Sequence, residues 1–192
     1  MTEVVIAVLS AVCCVYLASA TAKLRGRSAY RSFRAGLTET RLISQRLLPA
    51  APAALVACEA LVAVSAAVAA LLTAANAAAA DTVTVSALGL AIALTSVLAA
   101  GVAVILHRGT SARCACFGSA SERTLGRPQL ARNLGLLAML VVALVCDLPG
   151  HGRPPAGGAV VAVLSGAVIG VLLIRFDDLI ALFAPISSGN PR

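Results

Sequence analysis

Long apolar runs alternate with short polar ones along this chain. Five of them, residues 4–22, 53–75, 83–106, 130–148 and 157–174, carry almost no charge. Each is near the roughly 20 residues that a helix needs to cross a hydrocarbon core about 30 Å thick. Backbone N–H and C=O groups cannot go unpaired in lipid, so each run is predicted to be helical. The fold class that follows is an all-α membrane protein, a bundle of about five transmembrane helices.

The polar stretches add local detail. Between the first two runs, Tyr30, Phe33 and Leu37 recur at helical spacing while Arg27, Arg31 and Arg34 fall towards the other side. This predicts a short amphipathic helix lying in the head-group region. Arg175, Asp177 and Asp178 end the last run, and the tail at 185–192, with its Gly and Pro, is expected to be disordered. The first run, followed by Ala18-Ser19-Ala20, has the outline of a secretory signal. Met1-Thr2-Glu3 ahead of it supplies no positive charge, which favours an uncleaved first helix.

Composition narrows the class further. Of 192 residues 60% are hydrophobic and 12% charged, against a usual charged share of about 25%. So little charge cannot clothe a soluble globule of this size. Aromatic residues make up 3%, so Ala, Val and Leu supply the apolar bulk, and helices are expected to associate through small side chains. Without an aromatic belt, basic residues are the expected interfacial anchors.

The net charge of +7 lies between the apolar runs and not on a soluble face. Membrane lipids with anionic head groups are therefore the expected partner, and nucleic acid is not. Lys23, Arg25, Arg27, Arg31, Arg34, Arg41 and Arg46 fill the first connection, and Arg108, Arg113, Arg123, Arg127 and Arg132 the third with the start of the fourth run. Together they are twelve of the fifteen basic residues. The positive-inside rule then puts the N-terminus outside, both basic segments on the cytoplasmic side and the C-terminus inside a multi-pass cell-membrane protein.

The one compact chemical motif is Cys114-Ala115-Cys116-Phe117-Gly118, in the third connection. Cysteines two residues apart in an extended chain sit close to the upper limit of about 6.8 Å for bridged Cα atoms, so a disulfide between them is expected to be strained and reducible. Arg113, with Arg108 and Arg123, favours thiolate and raises its readiness to attack. The alternatives are inert loop thiols, or half of a metal site with His107 as the only obvious third ligand, where closed zinc needs four.

Glu59 lies inside the second apolar run, where an ionisable group costs about 2.5 kcal/mol or more unless paired, protonated or facing a polar cavity. Lys23 or Arg25, at the end of the first run, could reach it, either to build a functional site or to lock two helices. Cys13 and Cys14 fall midway along the first run and Cys58 in the first half of the second, and thiols at matching depth could relay electrons. The commoner role of such thiols, Cys146 included, is as small hydrophobes. The sequence has no nucleotide-binding loop, haem attachment motif or hydrolase triad, and no cofactor is evident.

Several of these stretches together are family-like. Tyr16-Leu17-Ala18-Ser19-Ala20-Thr21-Ala22-Lys23-Leu24, an Arg-rich Tyr/Phe segment, a Pro-led helix bearing Glu59, the Cys114 to Gly118 motif and Leu130-Ala131-Arg132-Asn133-Leu134 resemble the methylamine utilisation protein MauE family, within the wider group of DoxX-like small membrane proteins. The resemblance implies a helical domain over 1–148 whose four helices form a DoxX-like core; the apolar run beyond it adds a C-terminal transmembrane helix within 149–184. The resemblance further implies an accessory role in maturing a disulfide-rich periplasmic client, a subunit of methylamine dehydrogenase, with a thioredoxin-like partner. That is the side of the membrane opposite to the one that the Lys and Arg count gives Cys114 and Cys116: either reducing equivalents pass from a cytoplasmic donor, or the thiol loop folds back into the bundle, or the charge rule does not hold here. Carried over by position, Cys114 and Cys116 would be the redox pair, with Arg113, Phe117 and Gly118 supporting it, and Lys23 and Glu59 would be framework positions. A non-catalytic scaffold for a redox partner and a DoxX-like protein handling a quinone or other small molecule are the alternative readings.

Overall fold

The computed structural model describes residues 1–40, 42–109, 126–147, 155–176 and 178–179. Among these residues all regular structure is helical: α1 (Thr2–Leu24), α2 (Arg27–Glu39), α3 (Ala51–Ala74), α4 (Ala80–His107), α5 (Arg127–Asp147) and α6 (Ala156–Ile174). All but α2 are long and apolar enough to cross a membrane. The five expected spans are all present, each within about three residues of the apolar run that signals it. The protein is an all-α, multi-pass membrane protein.

Local chemistry sets the helix ends. Pro52 stands in the first turn of α3, where a missing N–H costs nothing and a fixed φ favours the helix. At its other end Asn76 takes φ 52°, and the N–H groups of Ala77 and Asn76 donate back to Leu72 O at 3.0 Å and Thr73 O at 3.1 Å. This is a Schellman cap, which satisfies carbonyls that α3 leaves open and turns the chain into α4. Gly109, at φ +61°, ends α4 in the same left-handed way and donates to Leu106 O at 3.2 Å.

The core is drawn from the first four spans. Val5, Leu9 and Val12 of α1, Val62 and Ala66 of α3, Leu88 of α4 and Leu140 of α5 are among its fully buried members. The many Ala side chains let these backbones approach closely, which supplies packing where lipid gives helices no hydrophobic reason to associate. Large apolar side chains such as Leu61, Leu71, Val97, Val142, Val161 and Leu164 face outward, a surface suited to lipid and not to water.

Helix α1 is central, touching α2, α3, α5 and α6. Helix α6 lies outside the four-span core and runs parallel to α1, since Gly158 sits beside Glu3, Gly166 beside Ala7 and Ser10, and Gly170 beside Ala11 and Cys14. A Cβ on Gly166 would collide with the Ala7 carbonyl oxygen, and one on Gly170 would lie 2.8 Å from the Cys14 Cβ. Glycine at these two positions is therefore what allows the backbones to meet.

The amphipathic segment is helical as its spacing predicts. Phe33 is buried and Tyr30 and Leu37 are half-buried, while Arg27, Arg31 and Arg34 are exposed. Phe33 joins Ala20 of α1 and Val56 of α3 in a small second cluster, so α2 lies against the ends of those two helices.

A buried ion pair at the basic end of the bundle

Tyr16, Ser19 and Lys23 stand at i, i+3 and i+7 on α1 and therefore share one face. Glu59 projects towards that face from the third turn of α3, because α1 and α3 run antiparallel and the end of one meets the start of the other. Lys23 Nζ pairs with both carboxylate oxygens of Glu59. It also donates to Ser19 Oγ at 3.0 Å, and Ser19 Oγ donates in turn to Glu59 Oε1 at 3.2 Å. All three ammonium protons are thus engaged. The Lys23 and Glu59 side chains are 1% and 3% exposed, so the pair is sealed from solvent and lipid alike.

Two further elements close the centre. The Phe33 ring of α2 lies with its centroid 4.8 Å from Lys23 Nζ, within range of a cation–π contact. Arg132 stands in the second turn of α5 and adds a weaker electrostatic influence on Lys23 and Tyr16. Beyond Ser19, Tyr16 Oη lies 2.6 Å from Thr95 Oγ1 of α4. Thr95 spends its own proton on the Ala91 carbonyl at 2.6 Å, so Tyr16 is the donor in that bond. A polar ladder from Tyr16 to Lys23 therefore ties α1 to α3 and α4, with α2 as its cover.

This geometry separates the predicted residues. Lys23 and Glu59 meet as expected, whereas Arg25 is exposed and takes no part. The parts played by Ser19, Tyr16 and Thr95 and the covering role of Phe33 go beyond what the apolar pattern predicts. The i, i+4 spacing of Ser19 and Lys23, with Tyr16 three residues earlier, is the signal that could have found the first two. The helix α1 runs unbroken through Ala18-Ser19-Ala20, and Ser19 there is a ligand of the ammonium.

Cys114 and Cys116, with Arg113, Phe117 and Gly118, lie outside the described residues, as does the 185–192 tail. The described chain on either side of the thiol segment is the end of α4 at Gly109 and the start of α5 at Arg127. Both lie at the same end of the bundle as Lys23 and Glu59, since Gly101 approaches Leu42 of the α2–α3 connection and Arg132 acts on Lys23.

The remaining thiols do not match in depth. The Ser19–Glu59 contact at 3.2 Å sets Cys58 level with about residue 20 of α1, so Cys14 and Cys13 stand about 9–11 Å further along the bundle at 1.5 Å per residue. Cys58 faces outward, while Cys13 and Cys146 are half-buried against the core. A relay among them is not what this register builds; apolar periodicity alone could not reveal the offset. Among the described residues no group of three or more His, Cys, Asp or Glu side chains could hold a metal ion.

The fold and this centre define a multi-pass helical membrane protein whose first four spans enclose a saturated Lys–Glu pair. The family model for methylamine utilisation protein MauE matches residues 1–146, and the chain belongs to that family. The match covers α1 to α5 and stops short of α6. No curated protein and no solved structure matches the chain.

Proposed function

We propose that the protein is a membrane thiol-redox accessory factor of the MauE type, in which Cys114 and Cys116 exchange disulfides with a thioredoxin-like partner and so assist maturation of a disulfide-containing client. The observation that carries this reading is the Cys114-Ala115-Cys116-Phe117-Gly118 motif itself, within the family match and joining two helices whose ends flank the Lys23–Glu59 centre. The concentration of Arg around it supports thiolate formation.

The exchange balances as follows. A partner thiolate attacks one sulfur of the Cys114–Cys116 disulfide, forming a mixed disulfide and releasing the other cysteine as thiolate. A second partner thiolate then displaces the remaining cysteine, leaving the partner oxidised and the pair as two thiols. Reoxidation is the reverse exchange with a more oxidising thioredoxin-like disulfide. The distribution of Lys and Arg supports a cytoplasmic position for this segment and an outside N-terminus, so the electrons are exchanged at the cytoplasmic surface.

One observation favours a second reading, a scaffold that assembles a redox partner without chemistry of its own. Lys23 has every proton engaged and is covered by Phe33, which suits a structural lock. Alkylation trapping in intact cells separates the two. Cycling of Cys114 and Cys116 between thiol and disulfide, abolished by Cys→Ser at either, supports exchange. Full activity of the double Ser variant, with both wild-type thiols permanently reduced, supports the scaffold.

A further inference from the structure

Where α1 gives way to α2 the surface opens into a groove lined by Leu24, Gly26, Arg27, Tyr30 and Arg31. Three features of this groove go together. Leu24, the last residue of the first span, is exposed and continues the outward apolar surface of the bundle up to the groove. Arg27 and Arg31, one helical turn apart, bring two positive charges to its wall, and Arg31 Nε donates to the Arg27 carbonyl at 3.2 Å, which holds the second guanidinium against the first turn. At Gly26, nothing lies within 4 Å of where a Cβ would stand, so there is room for a bound group.

An apolar rim on the hydrocarbon side and a paired basic wall on the head-group side match one kind of molecule. We propose that this groove seats the phosphate of an anionic phospholipid, held by Arg27 and Arg31, with Tyr30 beside the head group and Leu24 against the first acyl carbons. Planar guanidinium groups bind phosphate oxygens through paired, charge-assisted N–H donors, and an interfacial helix is where such groups meet a lipid phosphate. A lipid held there fixes the outer face of α2 to the membrane while Phe33, on the inner face of the same helix, covers Lys23. The proposed lipid seat does not depend on the thiol chemistry.

Native mass spectrometry of the full chain released from micelles tests the seat, with equimolar phosphatidylglycerol and phosphatidylcholine as probes. Each arginine near a lipid surface is worth roughly fivefold in retention of an anionic lipid. The expected result is a phosphatidylglycerol preference of about tenfold or more that vanishes in Arg27→Gln/Arg31→Gln. It should also fall severalfold in Gly26→Leu, which fills the groove without changing charge, and persist in Arg34→Gln, on the same helix but outside the groove. Inorganic phosphate in excess should not displace the lipid. A preference that survives the double Gln variant or Gly26→Leu, or that falls equally in Arg34→Gln, overturns the site, and displacement by inorganic phosphate overturns the lipid as its occupant.

Discussion

Lys23 and Glu59 meet across the α1–α3 interface with both charges buried and with Ser19 bridging them. Taking two ions out of water is costly, and only close mutual contact with satisfied hydrogen bonds offsets that cost. Removing one partner leaves the other uncompensated. Lys23→Met and Glu59→Leu are each expected to destabilise the protein by about 3–5 kcal/mol, while the double variant recovers much of the loss. Thermal unfolding of the detergent-solubilised chain, arranged as a double-mutant cycle, checks this. Losses that simply add would show that the two residues act independently.

Thr95 and Tyr16 give an asymmetric pair of variants. Tyr16→Phe removes a donor and leaves Thr95 bonded to the Ala91 carbonyl, a loss of about 0.6 kcal/mol, the average for such bonds in membranes. Thr95→Val leaves the buried Tyr16 hydroxyl without its acceptor, which costs about 1–3 kcal/mol. The order of the two stabilities is the readout; a costlier Tyr16→Phe would mean that the donor has been assigned the wrong way round.

Phe33 covers Lys23 by both its bulk and its ring face. Phe33→Leu keeps the apolar contact with Ala20 and Val56 but loses the cation–π contribution of about 0.5–2 kcal/mol. Phe33→Ala loses both. Amide hydrogen exchange should therefore quicken in α2 in the order wild type, Leu, Ala, with little change in α4. Equal exchange in all three would remove Phe33 as the residue that holds α2 in place.

Gly166 and Gly157 differ in what an added side chain would meet. A Cβ at Gly166 runs into the Ala7 backbone, whereas nothing lies within 4 Å of one at Gly157. Gly166→Val is expected to push α6 off α1 while leaving the four-span core folded, and Gly157→Ala to be silent. Limited proteolysis followed by intact-mass measurement reports the release of a C-terminal fragment, which Gly157→Ala should not show.

The sequence carries the membrane architecture openly, because a run of about 20 apolar residues has few other uses. The amphipathic α2 is equally legible from Tyr30, Phe33 and Leu37, and Glu59 stands out because charge inside an apolar run demands a partner. What the sequence hides is register. Nothing in the apolar pattern says that Glu59 faces Ser19, that Cys58 and Cys13 differ in depth, or that Tyr16 reaches Thr95 seventy-nine residues away. Nor does it say that α6 returns to α1, since its exposed and packed faces are equally apolar and only the placing of Gly166 and Gly170 distinguishes them. The choice of Lys23 over Arg25 likewise depends on which side of α1 faces α3.

The proposed sidedness rests on the Lys and Arg distribution alone. An impermeant maleimide applied to intact cells should fail to label Cys114 and Cys116, while a permeant one labels both once they are reduced. Labelling by the impermeant reagent would invert the proposed topology.

The most direct test of the thiol-exchange reading is capture of its covalent intermediate. With one cysteine of the pair replaced by Ser, the other cannot be released from a mixed disulfide by its neighbour. Either Cys114→Ser or Cys116→Ser should accumulate an adduct with a thioredoxin-like protein on non-reducing gels. The adduct should disappear with dithiothreitol and be absent from the double variant. No adduct in either single variant, with Cys114 and Cys116 fully reduced in wild-type cells, would contradict the proposed exchange.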